Sequence, residues 1–127
     1  MFRAIFSLGI ALAFASLAQA QTMPLNQFLN KATELEKKGV MAMFSSQASE
    51  LKRELSASSK LLKAERLAAS AEGKKPAFCP PEKSSITNIE IMTHFRGIPA
   101  AERDRMRTKD AFRSLLAKKY PCPGLNK

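Results

Sequence analysis

The sequence predicts a small all-α domain, in which a long amino-terminal helix or helical hairpin packs on a carboxy-terminal helical unit stapled by one disulfide. Three observations predict it. Apolar residues recur at helical spacing in successive stretches, the only two cysteines stand beside prolines at element boundaries, and no glycine- or proline-rich run divides the chain.

Residues 1–20, "MFRAIFSLGIALAFASLAQA", read as a secretory signal peptide and not as part of the fold. Arg3 supplies the positive end, an apolar run extends from Ala4 to Leu17, and Ala18-Gln19-Ala20 is a small-x-small cleavage site. That run is shorter than the roughly 18–20 residues a membrane span needs. No cysteine stands at the cleavage site to carry a lipid. The reading starts the mature protein near Gln21, makes residues 21–127 one domain, and places it in the periplasm or outside the cell. There, two cysteines are most simply joined as Cys79–Cys122. The rival reading, two thiols on a metal, has little behind it: His94 is the one histidine and no Cys-x-x-Cys pair exists. The chain carries a net charge of +10, one unit less once Arg3 leaves. Such a charge attracts lipopolysaccharide, anionic phospholipid, cell-wall polymer or an acidic protein. Export argues against nucleic acid.

The first helix is read from "PLNQFLNKATELEKK", where Leu25, Phe28, Leu29, Ala32 and Leu35 line one face. Pro24 suits its first position, Glu34 is placed to pair with Lys38, and Gly39 ends it. A second, longer helix is expected from about Val40 to Ser70. Its seam runs Phe44, Ala48, Leu51, Leu55, Ser58, Leu62, Glu65 and Ala69, with Ser58 and Glu65 as interruptions. The two helices make up residues 21–72, and Gly73 with Pro76, Pro80 and Pro81 turns the chain. Next, "SSITNIEIMTHFRG" reads as a helix capped by Ser84 or Ser85, with Ile86, Ile89, Met92 (with Ile91) and Phe95 at roughly helical spacing and a strand as the alternative. In "TKDAFRSLLAKKY", Thr108 is the expected N-cap, Ala111, Phe112, Leu115 and Leu116 the buried face, and Lys118 and Lys119 the complement to the negative helix end. Pro121 and Pro123 stop this helix and hold Cys122 in an extended exit, so the bridge ties its end to the turn before the third helix.

Little in the chain suggests chemistry. His94 has no second histidine with which to share a metal, and no nucleophile motif or glycine-rich phosphate loop occurs. Neither an enzymatic activity nor a cofactor is expected. The candidate partner-binding residues are Arg103, Arg105, Arg107 and Lys109 in "RDRMRTK", a cationic link inside the disulfide loop. A loop held by a staple loses less entropy on docking than a loose one.

Residues 78–123 resemble the Tai-type immunity proteins of type VI secretion amidase effectors. The resemblance rests on "FCPP", "ITNIEIMTHF", "GIPAAE", "DAFRSLLAKKY" and the terminal "PCP", in that order. The family's compact segment before its first cysteine is replaced here by the Ser- and Lys-rich stretch at 40–70. What the resemblance implies is a small, often homodimeric, all-helical periplasmic protein that occludes the cleft of a peptidoglycan amidase. Only Cys79 and Cys122 are carried over from it, as the bridge. The competing expectation is a structural or chaperone-like protein that binds anionic envelope components through its basic helical surface.

Overall fold

A computed structural model describes residues 22–123, so the expected signal peptide lies outside the described residues. The chain is all-α. Helix α1 spans Leu25–Lys37, a 3-10 segment spans Gly39–Phe44, and α2 spans Ser46–Ala71. After an irregular stretch come α3 (Asn88–Gly97), the single-turn α4 (Ala100–Arg103) and α5 (Thr108–Lys119).

Helix α1 forms where its apolar spacing requires. Leu25, Phe28, Leu29 and Ala32 are buried, with Leu35 packed against them. Pro24 sits one residue ahead of the helix as its N-cap. Gly39 ends the run with φ +61, a left-handed conformation that glycine adopts without steric cost. Glu34 pairs with Lys37, not with Lys38, which donates to Gln47 Oε1 at 3.1 Å.

The long second helix begins later than its seam suggests. Residues 39–44 form a separate 3-10 turn, and Ser45 caps α2 by accepting from the Ala48 N–H at 3.2 Å. The cap outcompetes continuation because a serine oxygen satisfies one of the amides a helix start leaves unpaired. Phe44, the expected first member of the seam, is therefore 84% exposed. From Leu51 on the seam holds: Leu51, Ser58 and Leu62 are buried and Leu55 packs against the core. Glu65 uses its interruption to bond Lys109 Nζ at 2.8 Å and to take a two-pronged contact from Arg113. That contact ties α2 to α5, the most extensive helix pairing in the fold.

Helix α3 departs from its expected face only at Ile89. Its cap is Thr87, not Ser84 or Ser85: the Thr87 hydroxyl accepts from the Glu90 N–H while the Glu90 carboxylate accepts from the Thr87 N–H. Ile91 and Phe95 are buried and Ile86 and Met92 pack against the core, while Ile89 is 78% exposed. At α5 the buried face is the expected one, Ala111, Phe112, Leu115 and Leu116. Thr108 is not its cap, however. It lies one residue inside the helix, fully buried, and its backbone and hydroxyl both donate to the Met23 carbonyl.

Cys79 and Cys122 are bonded across a separation of 43 residues. The Cys79 N–H donates to the Tyr120 carbonyl at 2.8 Å, so the end of α5 and the 78–81 segment are joined both covalently and by backbone. Phe78, beside the bridge, is drawn into the core.

Candidate functional site

The cationic link at 103–109 is the first candidate, and most of its charge is already engaged. Arg103 Nε donates to the Ile98 carbonyl at 2.8 Å and braces α4 against the end of α3. Arg107 reaches the Thr22 carbonyl through Nη1, and Lys109 pairs with Glu65. The link's backbone is clipped to the chain start by an isolated bridge between Pro24 and Arg107. Arg105 and Arg107 are exposed, and Arg105 alone of the four makes no side-chain bond among the described residues. The four cations are thus neighbours in sequence but do not converge on one site.

A second feature is a groove between α3 and α5, lined by Ile89, Thr93, Ile98, Met106 and Leu115. Two polar groups meet inside it: His94 Nε2 lies 2.7 Å from Ser114 Oγ. Ser114 Oγ also donates to the Ala111 carbonyl at 2.7 Å, and with the ring proton on Nε2 the same hydroxyl accepts from His94. Burial, aided by the Lys118 charge, lowers the His94 pKa. Among the described residues no cluster of His, Cys, Asp and Glu is placed to hold a metal ion.

Lys119 and Glu90 close one rim of the groove with an ion pair. The bond from Lys119, followed by the Thr87 N–H, holds the Glu90 carboxyl down at about 2. A folded pKa below the ordinary value of 4.5 means that the charged form favours folding. Its contribution is complete above about pH 4.5 and disappears as pH falls toward about 2. We expect Glu90→Gln to melt below the wild type near neutral pH, with the two curves converging on acidification. Titration of Glu90 by NMR checks the same point. A midpoint close to 4.5 contradicts the ion pair.

The third feature was not singled out from the sequence. Val40, Met41, Met43 and Phe44 project from the 3-10 turn at 71–84% exposure. Scattered exposed apolar residues are ordinary, but four large ones within one six-residue turn form a patch that marks a contact surface. The run "GVMAMF" carried the clue, since it holds no polar residue with which to face solvent. Beyond it, the outer side of α2 shows Lys52, Arg53, Lys60 and Lys63, all exposed and in no ion pair among the described residues. No described helix is long and apolar enough to cross a membrane.

In comparisons with family models, with curated proteins and with solved structures, nothing matches this chain.

Proposed function

We propose that this chain is a non-enzymatic, exported protein of the immunity type, which blocks a secreted peptidoglycan amidase by covering its active-site cleft. The observation that carries the reading is the stapled unit at 78–123. The pieces of its sequence that resemble Tai-type proteins fall in order on the bridge, α3, α4 and α5. Between α3 and α5 that unit offers a preformed groove with an apolar floor and, on its rim, Lys118, which is in no ion pair among the described residues. Preformed surfaces suit inhibition, because little ordering entropy is lost when they dock. The disulfide is compatible with an oxidising compartment such as the periplasm. The excess positive charge would speed encounter with an acidic rim on the enzyme.

The test is capture followed by assay. Oxidised protein immobilised on resin is exposed to periplasmic extract, and what it retains is assayed on peptidoglycan peptides. We expect one hydrolase whose cleavage stops at an equimolar ratio of this chain. Recovery of many proteins released together by salt, with no single hydrolase among them, overturns the inhibitor reading. So does a retained hydrolase that stays active at molar excess.

A further inference from the structure

We propose that the Gly39–Phe44 turn is a membrane-interface anchor, which inserts Val40, Met41, Met43 and Phe44 at the headgroup boundary of an anionic phospholipid bilayer. The inference is independent of the inhibitor reading, which rests on the opposite end of the sequence.

Exposure is the first ground. Phe44 at 84%, Val40 at 77%, Met41 at 74% and Met43 at 71% gain little from the protein's own core. Each such side chain carried from water into an apolar medium contributes about 1.5–3 kcal/mol. Their position is the second. They occupy the bend between α1 and α2, reached by way of Gly39, and point away from the core. A fluid interface accepts a protrusion of any shape, whereas a protein partner needs a matching cavity.

Charge is the third and decides the occupant. From Lys37 to Ser49 the chain contains no carboxylate. Lys38 borders the turn with only the neutral Gln47 as its partner. The amino end of α2, which carries the positive end of the helix dipole, starts directly after it with no acidic residue in its first turn. Lys52, Arg53, Lys60 and Lys63 then extend the positive field along the same helix. Apolar residues bordered by cations are the composition that binds acidic lipid surfaces. A second copy of the chain fits less well. It would bring the same positive charge to the contact, and one short turn cannot supply the roughly 800 Å² per partner of a stable interface.

The probe is sedimentation with vesicles of phosphatidylglycerol and phosphatidylcholine in about equal parts, set against pure phosphatidylcholine. The full mature chain is expected to bind the anionic vesicles and to leave the neutral ones largely unbound. The combined variant Met41→Ser, Met43→Ser, Phe44→Ser is expected to bind at least about tenfold more weakly. Its melting curve should be unchanged, since the altered side chains are exposed. Neutralising Lys38, Lys52 and Arg53, the cations nearest the turn in sequence that are in no ion pair among the described residues, with glutamine is expected to cost up to about fivefold per charge. Because the chain has no tryptophan, Phe44→Trp gives a single clean reporter. Its emission should shift to the blue on anionic vesicles and be quenched by brominated acyl chains. Equal binding by the serine variant, or an unshifted Phe44→Trp emission, overturns the anchor. A wild-type dimer in sedimentation equilibrium that the serine variant abolishes also overturns it, by giving the turn to a second copy. Loss of vesicle binding should leave equimolar inhibition of a captured amidase intact, so the two readings fail separately.

Discussion

Replacing Cys122 with serine is expected to lower the melting temperature by about 15 °C or more under non-reducing conditions. The bridge spans 43 residues. Closing a loop of that length removes chain entropy from the unfolded state equivalent to about 4 kcal/mol. For a domain of this size each kcal/mol shifts the midpoint by about 4–8 °C. The folded state should suffer as well. Between Ala71 and Asn88 the chain has no helix, and what keeps Phe78 in the core is the bridge together with the Cys79–Tyr120 hydrogen bond. Thermal melting of oxidised wild type, reduced wild type and Cys122→Ser is the check, and the last two should coincide. Superimposable curves for all three mean that the staple contributes nothing.

Phe95→Ala is the second change with a large expected effect, a loss of about 4 kcal/mol. Phe95 is completely buried and meets Phe28 edge to face, with ring centroids 5.6 Å apart at 71°. That contact joins α1 to α3, elements 60 residues or so apart that share few other contacts. Truncation removes both the transfer energy of the ring and its packing partner, and a cavity remains. Ile89→Ala on the same helix is the control, with almost no change expected at 78% exposure. Urea unfolding of both variants distinguishes the faces. Comparable losses from the two substitutions contradict the burial of Phe95 and the exposure of Ile89.

These two residues show where the sequence was legible. Helices α1 and α5 could be read to within a residue or two, because each has one apolar stripe and polar residues elsewhere. In and beside α3 apolar residues stand at 86, 89, 91, 92, 95 and 98, which allows two overlapping stripes. Spacing cannot choose between them. The packing of α3 on α5 and α1 chooses, and it buries Ile91 and Phe95. The start of α2 failed for a related reason: the seam extrapolated smoothly through Phe44, while a local serine cap at Ser45 had the stronger hold on the backbone. At the candidate site, charge density in 103–109 was visible, but its use was not. Arg107 is claimed by Thr22, 85 residues away, and Lys109 by Glu65, 44 residues away. Partners so distant are set by the packing of α2 and α5 and leave no trace in local composition.

The clip between residues 22–25 and the start of α5 also bears on how the protein can be handled. Thr22 is 3% exposed, the Met23 N–H donates to Glu54, and the Met23 carbonyl receives Thr108. A peptide fused directly ahead of Thr22 has to leave through a segment woven into the interior. An affinity tag placed there needs a spacer, or it pulls on the seat of α5.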